Sequence, residues 1–178
     1  MFGAKECPPF LFGHSINNTY DKPGDDIVLT MDFVGDVMLG RNIQEEGEKD
    51  GYSQYYQNVE EYWQNADIAF ANLESCVLSK NGIYQEAEKN KGSIYLSATR
   101  GAVKTLINAG INALGCANNH TGDYGVKPVV ELCDWLDTHA DIVTYAGIGR
   151  DQEEAVSYKV FDEGGIKGGF VAMNETYY

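Results

Sequence analysis

The chain has 178 residues, enough for one well-formed hydrophobic core and short for two domains. Apolar residues make up 43% of it, which excludes wholesale disorder. Its 27 acidic and 13 basic side chains leave a formal net charge of −14, so nucleic acid is not an expected partner, nor is an anionic membrane surface. An anionic substrate stays open to it, because a bound metal ion inverts the local field of an acidic crevice.

In chain order, residues 1–26 carry no sustained period and are punctuated by Pro8, Pro9, Pro23 and Gly24, which reads as an extended lead-in to a domain over residues 27–178. The apolar stretch in MFGAKECPPFLFG is too short for a signal peptide or a membrane span. Ile27–Val34 reads as a buried strand ending at Gly35 and Asp36. The acidic cluster Glu45, Glu46, Glu48, Asp50, Glu60 and Glu61 reads as a solvated face. Tyr52, Tyr55, Tyr56, Val59, Tyr62, Trp63 and Ala66 recur at three- and four-residue steps, which predicts a helix packed on a sheet.

Ile68–Leu73 is the next expected strand, and it delivers Glu74 at its end. Residues 75–92 read as a polar connection with a short extended piece, followed by a short strand over Ile94–Ala98. Ala102, Val103, Leu106 and Ile107 mark a helix that stops near Gly110. Ile111–Cys116 is a third strand, followed at once by Ala117–Asn118–Asn119–His120. The next helix is expected from Val126 to Thr138, with Pro128 in its first turn. Ile142–Tyr145 reads as a fourth strand, and Ser157–Phe161 with Ile166–Met173 as a hairpin. The order predicts an α/β fold: a largely parallel sheet covered by helices, with an antiparallel portion near the C-terminus.

Cys7, Cys76, Cys116 and Cys133 form no CxxC pair and no structural-zinc spacing. Cys116 and Cys133 lie in apolar patterns and read as buried thiols, while Cys76 has no nearby base to make it a nucleophile. Gly147 and Gly149 lack the placement of a dinucleotide fingerprint.

Three strands therefore end on groups that bind or move charge: Asp36, Glu74 and Asn119–His120. If those strands are parallel neighbours, their carboxyl ends gather at the sheet edge where open α/β folds bind ligands. Each residue also has a plainer reading. Asp36 can cap its strand, Glu74 can pair with Arg41 or Arg100, Asn119 can bond its own turn, and a lone histidine is often structural. The convergence favours a shared site. Two carboxylates, an amide oxygen and one imidazole suit Mn2+, Fe2+ or Zn2+ better than a soft copper site. Such a cation would lower the pKa of bound water and polarise a phosphoryl group. Asp123 and Tyr124 are expected to hold the loop and open the next helix.

At GDVMLGR (35–41), ANLES (71–75) and ANNHTGDYG (117–125) the sequence resembles the CapA, or poly-γ-glutamate biosynthesis, family, with GIG (147–149) and EEA (153–155) similar to a weaker fourth block. That resemblance places it near the calcineurin-like metallophosphoesterases and implies their layered α/β sandwich, here incomplete. It implies metal ligation by Asp36, Glu74 and Asn119, a catalytic site of His120, Asp36 and Glu74, and contact of His120 with the scissile phosphoryl group or its leaving group. Asn118 would shape the turn, and Arg41 is a weaker candidate for a substrate anion. Met38 stands where many metallophosphoesterases carry a histidine. The histidine–tryptophan–glycine and Gly-His blocks that follow in such proteins do not occur before Tyr178, and His14 and His139 are not substitutes.

The expected function is thus capsule or poly-γ-glutamate biosynthesis with a metal-dependent phosphoesterase-like site, weak or inactive unless completed downstream. The alternatives are a non-catalytic polymer-binding or assembly component and an incomplete, inactive domain. The expected partners are an anionic substrate or polymer, a second copy of the chain, or a membrane-bound synthesis complex. By resemblance the location is cell-surface or membrane-associated.

Overall fold

The β-branched and apolar runs become strands of a parallel sheet, and the three- and four-step patterns become helices laid on it. The computed structural model describes residues 29–79, 94–163 and 165–175. In chain order these comprise β1 (Met31–Val37), α1 (Arg41–Asp50), a 3-10 turn (Tyr52–Tyr55), α2 (Glu60–Asn65), β2 (Ile68–Leu73) and β3 (Cys76–Leu78). There follow β4 (Ser97–Thr99), α3 (Arg100–Asn108), β5 (Ala113–Gly115), α4 (Val126–Asp137), β6 (Thr144–Ala146), α5 (Gln152–Ala155), β7 (Lys159–Glu163) and β8 (Ile166–Phe170).

The central sheet has the order β1-β2-β5-β6, every neighbour parallel. A second, parallel pair joins β3 to β4, and β7 with β8 forms a separate antiparallel hairpin. The chain is therefore α/β with a mostly parallel sheet and an antiparallel portion near its C-terminal end, as the element order predicts.

Alternation along the strands divides apolar groups between two faces. Ala69, Ala71 and Leu73 of β2 and Leu114 of β5 join Val103, Leu106 and Ile107 of α3 and Leu132, Cys133 and Leu136 of α4 in the main core. On the other face Ile68, Phe70 and Ala113 meet Phe161 and Phe170 from the hairpin. The Phe70 and Phe170 rings meet edge to face with centroids 5.9 Å apart, an arrangement that adds to their area burial. The hairpin thus covers the face that the helices leave open.

Several expectations need correction. The first strand runs Met31–Val37 rather than ending at Val34, so Gly35 and Asp36 lie within it. The region 52–66 is not one helix: it opens as a 3-10 turn, and only Glu60–Asn65 is α-helical. Aromatic and β-branched residues at 52–59 have weak helix propensity, and tertiary burial of Tyr52, Tyr56 and Trp63 sets the path instead. Tyr55, Val59 and Tyr62 from the same stripe are exposed.

Helix α1 went unpredicted because Gly47 is its one buried residue, so no apolar period announces it. Its Glu45, Glu46, Glu48 and Asp50 are exposed, as the solvated-face reading expects. Helix α5, capped by Asp151 Oδ1 accepting from Glu154 N at 2.8 Å, is too short to carry a period. Residues 1–26 with Cys7 and His14, the start of the first strand at Ile27–Val28, most of the polar connection over 80–92, and Gly164 of the hairpin turn lie outside the described residues. Among the described residues no helix is long and apolar enough to cross a membrane.

The Cys76, Cys116 and Cys133 side chains are buried in the fold. Burial pushes Cys116 well above the ordinary thiol range, with the neighbouring Cys133 adding to the shift, and burial is also the main cause of the rise at Cys133. Only the thiolate alkylates readily. At about pH 8, site-resolved mass spectrometry is expected to find Cys116 and Cys133 unmodified by iodoacetamide in the native chain and modified in denaturant. Comparable native and denatured rates at either site would contradict the packing described here.

Candidate functional site at the carboxyl edge of the sheet

Strands β1, β2 and β5 lie side by side and parallel, so their carboxyl ends fall within about 10 Å, two inter-strand spacings. Phe33 pairs with Phe70 and Asp36 with Asn72, so three steps along β1 match two along β2. This bulge changes the face on which Asp36 lies. Strict alternation would put Asp36 on the same side as Val34, which packs against the main core. The extra residue instead leaves Val34 and Val37 core-facing and brings Asp36 to the open face, where Asn72 Nδ2 donates to Asp36 Oδ1 at 2.7 Å. Asp36 is exposed and Glu74, one residue past β2, is half-buried. The Glu74 N–H donates to Val37 O at 3.1 Å, which joins the ends of β1 and β2.

The loop after β5 is organised by short polar side chains. Asn118 Nδ2 donates to Leu73 O at 2.7 Å, which ties the loop to the residue before Glu74. Asn118 Oδ1 accepts from His120 N at 2.9 Å, and the Thr121 hydroxyl accepts from Asn118 N while donating to Cys116 O. Asn118 therefore shapes the turn, as its sequence position suggests. The His120 imidazole has 13% of its side-chain surface exposed, and Nδ1 lies 2.9 Å from Asp123 Oδ2. Asp123 itself is fully buried, and the same oxygen accepts from Leu96 N at 2.6 Å. Tyr124 meets Tyr95 in an edge-on pair, centroids 6.1 Å apart, beside that contact.

Two glycines let backbone come close behind this loop. Gly147, in the GIG turn, has φ +91°, and a Cβ there would lie 2.6 Å from Ala117 Cβ and 2.8 Å from Ala117 N. The turn after β6 is thus the support against which the loop rests. At Gly40, just before α1, a Cβ would collide with the carbonyl oxygen of Ser97 in β4.

Asp36, Glu74 and the 118–120 loop are brought to one edge and linked through β2. Asn119 is half-buried in that loop. Among the described residues no three His, Cys, Asp or Glu side chains are grouped closely enough to hold a metal ion. Arg100 does not serve Glu74: its guanidinium donates to Glu131 O at 3.0 Å. His139 stacks on Trp135 at the end of α4. Arg41, at the start of α1, is exposed with φ 54°. Sequence reasoning missed Asn72 and did not assign Asp123 its contact with His120. Asn72 was visible two positions before Glu74, and Asp123 three positions after His120.

Asn118→Ala removes the bonds to both Leu73 O and His120 N. Denaturant unfolding is expected to show a loss of about 1–3 kcal/mol, the range for a polar pairing whose partners are left unmet. A change below about 0.5 kcal/mol would mean that Asn118 does not hold the loop.

Residues 30–177 match the model of a family described as bacterial capsule synthesis protein PGA_cap. The chain is 42% identical over 152 residues to a capsule biosynthesis protein CapA of Bacillus anthracis, covering 84% of this chain and 35% of that protein. It is 32% identical over 139 residues to the PGA biosynthesis protein CapA of Bacillus subtilis, covering 78% of this chain and 36% of the relative. An uncharacterised protein of Sinorhizobium fredii is 27% identical over 134 residues, with 75% of this chain and 28% of that protein covered. The matched region thus spans about a third of the length of each relative.

Proposed function

The chain belongs to the bacterial capsule synthesis family, and from that membership we propose that it serves capsule or poly-γ-glutamate production through a phosphoester-hydrolysing site at the carboxyl edge of its sheet. What supports the reading is the contact of His120 Nδ1 with a buried carboxylate, in a loop that Asn118 ties to Leu73, the residue before Glu74. In this reading His120 moves the proton of the leaving oxygen through Nε2, while Nδ1 stays engaged with Asp123. General acid–base transfer of this kind contributes about 10²–10⁴-fold in rate.

Asp36, Glu74 and Asn119 supply hard oxygen donors, which fit Mn2+, Fe2+ or Zn2+ in type. They do not fit in number: no group of three His, Cys, Asp or Glu converges among the described residues. Our proposal is that these residues are part of a divalent-ion site whose further ligands lie elsewhere. The same shortfall favours a second reading, in which this edge binds an anionic polymer during assembly without cleaving it. Partners in either case are an anionic substrate or polymer. A second copy of the chain is a further candidate, because Phe33 on edge strand β1 is 66% exposed.

Calorimetric titration with Mn2+ and Zn2+ is expected to show weak binding that Asp36→Ala and Glu74→Ala both abolish. Binding equal to wild type in both variants would refute the ligand assignment. With the whole protein and phosphomonoester and phosphodiester probes, His120→Ala is expected to lower turnover at least about 100-fold with its unfolding midpoint little changed. Full activity in that variant would refute the role of His120. Hydrolysis absent from the wild type, alongside saturable polymer binding, would favour the assembly reading.

A further inference from the structure

We propose that Asp123 is the positioning residue of this site: anchored on the Leu96 N–H, its carboxylate holds the Nδ1 proton of His120, so that Nε2 is the nitrogen that exchanges a proton with substrate. The inference rests on the acid–base reading of His120 given above and adds the residue that orients it.

A carboxylate that is fully buried needs donors, since an unpaired one loses its hydration without replacement. Two donors meet at Asp123 Oδ2: the Leu96 N–H at 2.6 Å and the imidazole Nδ1 at 2.9 Å. The first is fixed backbone from the approach to β4, an element of the second sheet. The second belongs to the loop after β5 in the central sheet. Asp123 therefore joins two separately built parts of the fold at the imidazole. Its own N–H donates to His120 O at 3.2 Å, and His120 N donates to Asn118, so the histidine backbone is fixed as well as its ring.

With the backbone held and Nδ1 engaged, neither ring rotation nor tautomer exchange is free. A carboxylate can only accept, which places the proton on Nδ1 and leaves Nε2 bare in neutral imidazole. When Nε2 gains a proton, the same carboxylate faces the resulting imidazolium and stabilises it. When Nε2 gives that proton to a leaving oxygen, the ring returns to the Nδ1–H form. One proton moves, and none passes to Asp123.

The test uses Asp123→Ala. It removes the acceptor of the Nδ1 proton and leaves the imidazole to its ordinary preference for the Nε2–H form. The whole protein labelled with 15N-histidine is observed at about pH 9, above the ordinary imidazole range, with the His120 signals assigned by their loss in His120→Gln. Wild type is expected to show the Nδ1–H form, and Asp123→Ala to lose it in favour of the Nε2–H form. Turnover in the variant is expected to fall at least about tenfold with KM within about threefold, the pattern of an interaction used in the transition state. A wild-type His120 in the Nε2–H form would overturn the proposal without reference to any variant. An unchanged tautomer in a folded Asp123→Ala protein would also overturn it. If the tautomer switches as expected while His120→Ala retains full hydrolysis, the hold of Asp123 on the ring stands and the acid–base reading of His120 falls.

Discussion

The arrangement at the sheet edge depends on the last turn of backbone in β2. Within two residues, this strand supplies the Asn72 amide to Asp36 and the Leu73 carbonyl to Asn118, and Glu74 N then reaches back to Val37 O. Elements distant in sequence are registered against one another there. Buried or half-buried polar groups that go unpaired cost about 1–3 kcal/mol each, so these bonds select one relative height for β1, β2 and the loop after β5. The Asp36, Glu74 and His120 positions follow from that choice. Leu73 has its side chain in the core while its carbonyl holds the loop, so packing and site geometry meet in one residue.

A second support lies behind the loop. The GIG turn brings Gly147 against Ala117, and the residues that follow it are clamped from the far side. Arg150 pairs with Asp134 and Asp137 of α4 and with Glu154 of α5, while Tyr145 at the end of β6 donates to Asp137 at 3.0 Å. Each such pair near the surface contributes modestly on its own. Their common dependence on one guanidinium gives the network its geometric value, because Arg150 can satisfy all three acids only when α4, α5 and the turn after β6 are mutually placed. The block that looked weakest in the sequence is thus a backing plate for the strongest one.

Where apolar burial sets the local structure, the sequence was readable. Ile68–Leu73 has the bounds its pattern predicts, and α3 and α4 follow their three- and four-step apolar faces. Where burial is slight or the geometry is set by tertiary contacts, the pattern was silent or misleading. Helix α1 buries almost nothing, and the aromatic stripe at 52–63 has helical spacing yet is partly a 3-10 turn. The bulge before Asp36 could not be seen at all, because it exists only as a mismatch of register between two strands. Of the site, the strand-end positions were legible from order and spacing. The polar cross-links were not: Asn72 and Asp123 stand near Glu74 and His120 in the sequence, but their bonds to Asp36 and Leu96, 36 and 27 residues away, form only in the fold.

Charge sets the condition that any function here must meet. Asp36 and Glu74 share an edge of a chain with a formal charge of −14, and in the proposed reading an anionic substrate approaches both. At an effective dielectric of about 20, unit charges about 6 Å apart repel by roughly 3 kcal/mol, so two carboxylates against one phosphate oppose binding strongly unless a cation intervenes. Arg100 and Arg150 are already committed to Glu131 and to the α4–α5 acids. Arg41 opens α1 four residues after Val37 and is exposed, but one guanidinium cannot balance two carboxylates together with an incoming anion. The imidazole of His120 adds at most one positive charge, and Asp123 already offsets that charge. In that reading, compensation comes from a divalent ion or from further basic groups. The two readings part at this point: a divalent ion makes the edge a place for phosphoester chemistry, whereas added basic side chains would make it a place to hold an anionic chain. The histidine, held at Nδ1 by Asp123, is compatible with both, so in these readings the identity of the compensating charge decides what this edge of the sheet does.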